Sequence, residues 1–222
     1  MLFSDSGSGR AVELAREVGG EAVESNSELA AAADVIVLAV KPAGLADVAA
    51  EIGGTGKVVV SLLAATSLAE VTDAFPAASV VRVMPNVGVE VRRGVLCVAG
   101  AASPEVRAKL ELLGHVVELP DSEFDAATAV MSCAPAYLAV AVEAIADAGA
   151  KAGLDEEMAR ELVVETTAGT AELLRQRHPA DVRKAVAAPG GSTEAGLDAL
   201  DREGAREAFE AAVRASLERM RG

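Results

Sequence analysis

The chain has 222 residues, of which 51% are hydrophobic, 24% charged and 2% aromatic, with no tryptophan. This composition predicts one large or two modest globular domains with a core of Ala, Val and Leu. The formal net charge of -14 at pH 7 argues against binding to a nucleic-acid backbone, and two cysteines without metal-ligand spacing predict a reduced, cytoplasmic chain with no metal site.

The first half of the chain alternates short apolar runs with amphipathic ones. The apolar runs predict strands at 2–3, 21–23, 34–40, 57–62, 79–85, 94–100 and 115–120. The amphipathic runs predict helices at 10–18, 25–33, 42–52, 67–75 and 103–114. The run 34–40 is apolar on both faces, as is typical of a parallel strand under helices. This alternation predicts a doubly wound α/β sheet.

The pattern changes after Asp121. Residues 123–175 and 193–220 show long Ala-rich helical periodicities, with two helices in the first stretch that are broken near Gly153. We therefore predict two domains, 1–122 and 123–222, the second all-helical. The segment 126–142 lacks charge but is shorter than the roughly 20 apolar residues of a membrane span. Its apolar residues on nearly every side predict a buried helix, shared between two copies in an obligate homodimer.

The opening stretch "SDSGSGR" contains two glycines in the spacing that begins a dinucleotide-binding turn. Gly7 and Gly9 match the first two positions of G-x-G-x-x-G, but the third falls on Val12. A branched side chain there would separate helix from strand, so the fingerprint fails. The chain carries no such turn, and no signal peptide is predicted at its polar N-terminus.

A second interpretation places this stretch at the end of the second strand of such a fold, where the adenosine ribose is contacted. A carboxylate at that place favours a free 2′-hydroxyl, whereas hydroxyls with an arginine favour a 2′-phosphate. Serines and Arg10 supply the hydroxyls and the arginine that favour a 2′-phosphate, while Asp5 adds a competing negative charge. An ordinary turn before a helix remains the alternative.

Four stretches resemble the pyrroline-5-carboxylate reductase family: "ADVIVLAVKP" (33–42), "VVRVMPN" (80–86), "APAYLAVAVEAIADAGAKAGL" (134–154) and "APGGSTEAGLDAL" (188–200). The resemblance implies reduction of the cyclic imine 1-pyrroline-5-carboxylate to L-proline, with NADP as cofactor and NAD possible. It implies a Rossmann-like nucleotide domain followed by an all-α dimerisation domain, in a homodimer or larger homo-oligomer without nucleic-acid or membrane partners.

The family's first strand and glycine-rich turn have no counterpart in this sequence. The resemblance therefore implies a nucleotide domain truncated at its N-terminus, with a half-sheet that would fold poorly alone. Either the sequence starts too late or another segment fills the gap.

The resemblance also implies which residues bind the cofactor. Ser4 and Ser6 would meet the adenosine end and Asn26 the adenine ribose. The remaining cofactor residues follow strands: Ala39, Val40, Lys41, Pro42, Ala64, Ala65 and Asn86. Strand ends are where open α/β sheets hold ligands, although Lys41 taken alone could equally be a solvated loop lysine.

The second half carries the substrate residues that the resemblance implies. Gly190, Gly191 and Ser192 form a loop ahead of a helix, where backbone N–H groups can bind a carboxylate. Thr193 is the catalytic residue, placed against the ring nitrogen; a plain N-cap threonine is the alternative. Both histidines, His115 and His178, are expected to be structural.

Several positions depart from the family pattern: residues 131–134, residues 87–88, Ala65 and Ala188. Each change removes a hydroxyl or fills space near the expected site. Two alternatives therefore stay open. One is a non-catalytic or cofactor-impaired relative, and the other is a reductase of another small imine.

Overall fold

A computed structural model of the protein describes residues 1–221. Its strands are β1 (Leu2–Phe3), β2 (Glu21–Ala22), β3 (Val35–Leu38), β4 (Val58–Ser61), β5 (Ser79–Pro85), β6 (Gly94–Ala99) and β7 (Gly114–Glu118). Its α-helices are α1 (Arg10–Val18), α2 (Asn26–Ala32), α3 (Leu45–Ile52), α4 (Leu68–Ala74), α5 (Pro104–Glu111), α6 (Phe124–Met131), α7 (Ala134–Lys151), α8 (Glu156–Leu174), α9 (Pro179–Val186), α10 (Ser192–Arg202) and α11 (Ala205–Arg221). Short 3-10 helices cover Pro42–Gly44, Val87–Val91 and Asp121–Glu123.

The sheet confirms the predicted α/β class. Five strands pair in the order β3-β4-β5-β6-β7, and β1 pairs with β2 in a separate two-stranded parallel sheet. Neighbours in the five-stranded sheet are parallel except β5 and β6, which are antiparallel. A segment with a 3-10 helix at Val87–Val91 joins those two strands, and the sequence pattern did not predict that helix.

Apolar side chains cover both faces of the central strands of the five-stranded sheet, whereas Val37 of the edge strand β3 is 55% exposed. Val59 belongs to a buried cluster with Val71 and Phe75 of the α4 region, whereas Val60 belongs to a second cluster with Val106 of α5. Because successive residues of a strand point to opposite faces, two clusters from adjacent valines show that both faces are buried. The burial of both faces agrees with the continuous apolar runs in the sequences of these strands.

Serine residues fix where several helices begin. Ser25, Ser67 and Ser103 are the N-caps of α2, α4 and α5, and each side chain accepts a hydrogen bond from the backbone N–H three residues later. At α4 the bond is reciprocated by Glu70, which completes a capping box. Such caps each contribute about 1 kcal/mol.

Helix α5 is shorter than predicted. We expected it to close on Gly114, but it ends at Glu111 and Gly114 begins β7. Gly114 has φ 151°, and a Cβ there would lie 2.0 Å from the carbonyl oxygen of Gly94 on the neighbouring strand. The glycine thus permits a close approach of two strands rather than ending a helix.

An ion pair between Arg82 and Asp121 links the sheet to the segment that follows it. Arg82 of β5 is 4% exposed, and its Nη1 donates to Asp121 Oδ1 at 2.8 Å. The other carboxylate oxygen of Asp121 accepts the Leu68 backbone N–H at 3.0 Å, and the guanidinium lies 4.2 Å from the ring centroid of Phe124. One arginine therefore joins β5, the start of α4 and α6.

The contacts divide the chain into two compact units, formed mainly by Met1–Ser132 and by Cys133–Arg219. The division falls later than the predicted domain boundary because α6 packs on the first unit, where Phe124 clusters with Met84, Cys97 and Ala99. The assignment of domains to 1–122 and 123–222 stays a prediction.

The helices of the second half differ from the prediction. Three helices, not two, fill 123–175, since α6 ends at Met131 and α7 starts afresh with Pro135 in its first turn. Helix α9 has no counterpart among the predicted helices; it begins after His178, whose Nδ1 accepts the Ala180 N–H at 3.2 Å.

Helix α7 is not buried within its own unit. Leu138, Val140 and Ile145 are 58%, 63% and 59% exposed, so the single chain leaves this helix uncovered, and its burial between two copies stays a prediction. Within the described residues, one helical segment, Asp121–Lys151, has the length and apolar character to cross a membrane.

Candidate active site

The structure brings together two of the residues predicted to meet the adenosine end. Strands β1 and β2 are parallel, so their carboxyl ends lie side by side. Ser4 follows β1 and Asn26 opens α2 after β2; the Ser4 hydroxyl donates to Asn26 Oδ1 at 2.7 Å. The Asn26 amide in turn donates to Glu51 of α3 at 2.9 Å. A hydroxyl and an amide therefore form one polar edge at these strand ends.

The loop after Ser4 is organised by Asp5. Its Oδ1 accepts the N–H groups of Gly7 at 2.6 Å and Ser8 at 2.9 Å, and its Oδ2 accepts the N–H of Ala11 at 2.6 Å. The bond from Ala11, with those from Gly7 and Ser8, holds the pKa of the Asp5 carboxyl below its ordinary value. The two glycines have φ values of 91° and 79°. Gly7 and Gly9 thus serve a turn around a carboxylate, as positions that require positive φ.

The remaining side chains of this loop are exposed. Ser6 is exposed. Arg10 pairs with Glu13 through an Nη1–Oε2 contact of 3.2 Å, with both side chains exposed. The one cation of the loop therefore already has an acidic neighbour.

Two further predicted stretches follow adjacent parallel strands. Because Leu38 of β3 lies opposite Ser61 of β4, residues 39–42 and 62–65 leave the sheet side by side. Ala39, Val40, Lys41 and Pro42 are exposed, as are Ala64 and Ala65. This edge, at the carboxyl ends of parallel strands, is where α/β sheets bind ligands.

The turn after β4 is held in an unusual conformation. Ala65 has φ 50°, a region that non-glycine residues adopt at a cost. The next residue, Thr66, is 5% exposed and its hydroxyl donates to the Ala64 carbonyl at 3.2 Å. Beyond it, the Leu68 N–H is held by Asp121. The surrounding contacts fix the backbone of this turn and leave its outer side open.

The structure gives Asn86 a structural role. Its Oδ1 accepts the N–H groups of Gly88 at 3.2 Å and Val95 at 3.0 Å, and its Nδ2 donates to the Met131 carbonyl at 3.0 Å. Asn followed two residues later by Gly is a turn signal, and the Gly88 N–H that it positions is the one that Asn86 accepts. A cofactor contact by Asn86 stays a prediction.

In the second unit, the predicted substrate loop precedes α10. Gly190 has φ 72°, and its N–H donates to Glu194 Oε2 at 2.7 Å, while the Gly191 N–H donates to the Ala188 carbonyl at 2.9 Å. Two of the three N–H groups expected to hold a carboxylate therefore have acceptors within the chain. Glu194 was not singled out from the sequence.

Thr193 lies inside the first turn of α10. The N-cap is Gly191, which makes no side-chain cap bond, so the alternative of an N-cap threonine is wrong. Ser192 and Thr193 are exposed. First-turn N–H groups have no carbonyl partner in their own helix, so this end of α10 offers donors beside the Thr193 hydroxyl.

The donor set fits a nicotinamide nucleotide better than a metal. Across residues 1–221, no group of three or more His, Cys, Asp or Glu side chains is placed to hold a metal ion. The strand ends instead offer a hydroxyl, an amide, a lysine and open backbone. These groups suit the riboses and the carboxamide of a nucleotide.

Two family models match the sequence. The pyrroline-5-carboxylate reductase dimerisation family matches residues 121–222, and the family of coenzyme F420-dependent NADP oxidoreductases matches residues 1–65. The first match supports a homo-oligomer. The two matches thus lie at opposite ends of the chain, the oxidoreductase family in residues 1–65 and the dimerisation family in residues 121–222.

Sequence relatives cover most of the chain. The pyrroline-5-carboxylate reductase of Synechocystis is 39% identical over 204 residues, 87% of this chain and 76% of that protein. The enzyme of Thermus thermophilus is 38% identical over 194 residues, 84% of this chain and 74% of that protein.

Solved structures agree with these relatives. The reductase of Streptococcus pyogenes has a TM-score of 0.86 at 26% identity and covers 99% of this chain and 88% of its own. The pyrroline carboxylate reductase of Plasmodium falciparum, solved with NADP bound, has a TM-score of 0.83 at 25% identity and covers 99% and 85%. From its sequence motifs, its fold and these relatives, the chain belongs to the pyrroline-5-carboxylate reductase family.

Proposed function

We propose that this protein reduces 1-pyrroline-5-carboxylate to L-proline with NAD(P)H, as the last step of proline biosynthesis in the cytoplasm. The observation that carries the proposal is family membership over both halves of the chain, at up to 39% identity with a named reductase. The Pro-Gly-Gly loop before α10, the part of the sequence most specific to the family, supports it.

The two halves of the chain have different roles in this proposal. Residues 1–122 bind the nucleotide, and residues 123–222 form the homo-oligomer and bind the imine. When bound, NAD(P)H supplies a hydride for the imine carbon, and the ring nitrogen gains a proton. The carbon of a C=N bond is already electrophilic, so the protein contributes mainly orientation and exclusion of water.

In the first half, the polar edge formed by Ser4 and Asn26 binds the adenosine end. Lys41, beside the open end of β3, contacts phosphate or ribose. The exposed backbone at Ala64 and Ala65 lies along the nicotinamide. The hydrogen bonds of Thr66 and Leu68 fix the backbone of this turn. They support the assignment of Ala64 and Ala65 to the nicotinamide, because a fixed backbone orients a planar ring with little loss of entropy.

In the second half, the first turn of α10 binds the substrate. Free backbone N–H groups near Ser192 attract the substrate carboxylate, which the positive end of the helix dipole also favours. The Thr193 hydroxyl holds the ring nitrogen. Because Gly190 and Gly191 already donate within the chain, we assign them to the shape of the loop as well as to substrate binding.

The active form is a homodimer or a larger assembly of dimers. Leu138 and Ile145 are seven residues apart on α7, so they share one face of the helix, and both are exposed in the single chain. A second copy would cover this face. We expect an interface well above roughly 2,000 Å², the range of permanent interfaces.

The direct test is imine-dependent oxidation of NADH and NADPH by the purified protein, followed at 340 nm, with 1-pyrroline as a substrate that lacks the carboxylate. Faster turnover of pyrroline-5-carboxylate than of 1-pyrroline is expected. Equal rates would point to another small imine as the substrate.

A non-catalytic relative is the second candidate. One observation favours it: carboxylates of the chain already occupy backbone donors, Asp5 in the loop expected to bind the nucleotide and Glu194 in the loop expected to bind the substrate. Nucleotide binding without turnover of any cyclic imine would support this candidate over the reductase.

A further inference from the structure

The sequence leaves the choice between NADH and NADPH open. At the end of the strand that contacts the adenosine ribose, a carboxylate favours a free 2′-hydroxyl, and an arginine favours the 2′-phosphate. The loop after β1 contains both, Asp5 and Arg10. Only their surroundings in the fold can decide which one acts.

The backbone of this loop is already wrapped around an anion. Successive N–H groups that converge on one point form a concavity that binds phosphates in many proteins. Here the N–H groups of Gly7, Ser8 and Ala11 converge on Asp5, at 2.6, 2.9 and 2.6 Å. A carboxylate has about four acceptor positions, so three are filled and Oδ2 retains room for a hydroxyl donor. The chain therefore supplies its own anion where a phosphate would be held.

The cation of the loop does not compensate for that charge. Arg10 lies 3.2 Å from Glu13, and both side chains are exposed. Asp5 and Glu13 together outnumber the single guanidinium. A 2′-phosphate entering this loop would have to displace Asp5 from its three donors or lie beside a net negative charge, and either route weakens binding.

We propose that Asp5 sets the nucleotide preference of this protein, so that a 2′-phosphorylated nucleotide binds no more tightly than its unphosphorylated counterpart. Both nucleotides still bind, and Asp5 accepts the ribose hydroxyl of the unphosphorylated one. The inference deepens the proposed function and rests on it for the position of the nucleotide.

The experiment measures dissociation constants for NAD⁺ and NADP⁺ by isothermal titration of the intact protein, without imine. We compare wild type with Asp5→Asn, which keeps one side-chain acceptor for Gly7 and Ser8 but removes the charge. Glu13→Gln removes a charge from the first turn of α1, beside this loop, and frees Arg10 without touching the converging N–H groups. Glu17→Gln, at the far end of α1, is the control for net charge.

In wild type we expect the NADP⁺ constant to equal or exceed the NAD⁺ constant. Asp5→Asn should shift the ratio about tenfold toward NADP⁺ and Glu13→Gln about threefold, with Glu17→Gln unchanged. Raising the salt concentration should shrink the wild-type difference, because the opposing charges are exposed to solvent. Thermal unfolding of each variant reports whether the loop has survived.

Three results would overturn the inference: wild type binding NADP⁺ more than tenfold tighter, Asp5→Asn leaving the ratio unchanged whatever Glu13→Gln does, or neither nucleotide binding. The proposed function is judged separately by imine turnover. The expected binding pattern without turnover would remove the reductase but keep the inference, whereas turnover with a strong NADPH preference would do the opposite.

Discussion

The two compact units use their apolar side chains in different ways. In Met1–Ser132, buried clusters cover both faces of a sheet, and Phe75 and Phe124 are completely inaccessible. Among the described residues of Cys133–Arg219, Ala159 is the one hydrophobic residue that is buried. Large side chains such as Leu138 stay exposed.

The difference follows from the geometry of the elements and the composition. A sheet under helices buries two faces with side chains of the same segment of chain. Ala-rich helices with almost no aromatic residues bury little area per residue when they pack only on one another. The first unit therefore contains its own core, whereas the second leaves large apolar side chains uncovered. This contrast agrees with the match of residues 121–222 to a dimerisation family.

The largest expected effect tests whether a second copy covers those side chains. Leu138→Arg puts an unpaired charge on the exposed apolar face of α7, where burial in an interface would cost several kcal/mol. We expect loss of the homo-oligomer and of helical content in the second unit, measured by light scattering and circular dichroism. Glu143→Arg, five residues along and thus on the opposite side of the helix, is the control. An intact oligomer in Leu138→Arg would show that this face is not the interface.

The next effect compares one aromatic residue from each unit. Phe124→Ala should destabilise the protein by about 3–5 kcal/mol, since it leaves a cavity under Arg82. Phe209, 48% exposed in α11, is the matched site in the second unit. Phe209→Ala should cost under about 1 kcal/mol unless a second copy covers it. Urea unfolding measures both losses, and light scattering of Phe209→Ala over a range of protein concentrations shows whether the substitution also weakens assembly.

A smaller effect tests whether the units have separate chemical roles. Thr193→Val should lower kcat/KM for the imine, because a polar atom of the substrate loses its hydrogen-bond partner. The loss of transition-state stabilisation should be roughly 1–3 kcal/mol. Nucleotide affinity should stay within twofold. Thr167→Val, exposed in the middle of α8, controls for the lost hydroxyl. Weaker nucleotide binding in Thr193→Val would contradict a role confined to the imine.

The smallest effect concerns strain in the first unit. Ala65→Gly relieves a positive φ of 50° and should stabilise the protein by about 0.5–1 kcal/mol, after allowing for the greater freedom of glycine when unfolded. Ala64→Gly, at the neighbouring residue without positive φ, should destabilise it by about as much. Thermal unfolding measures both. If the two variants shift stability in the same direction, the strain at Ala65 is not real.

Sequence patterns predicted the elements of the first unit well and its hydrogen bonds poorly. Serine caps and apolar runs are local signals, so α2, α4 and the strands could be placed within a few residues. The roles of Asp5, Asn86 and Glu194 could not, because each depends on which backbone N–H groups the folded loop turns toward the side chain. Asp5 was noted only as a competing charge, yet it organises its loop.

The amino-acid sequence by itself determined the fold class, the change from α/β to all-helical character after Asp121, and the family to which the chain belongs. These depend on periodicity and on short motifs, which are properties of neighbouring residues. The tertiary structure alone decided that β5 and β6 run antiparallel, that Arg82 and Asp121 pair across the first unit, and that α7 is exposed in a single chain. Each of these features depends on contacts between residues far apart in sequence. Which charges and apolar side chains become buried is decided only when the chain has folded.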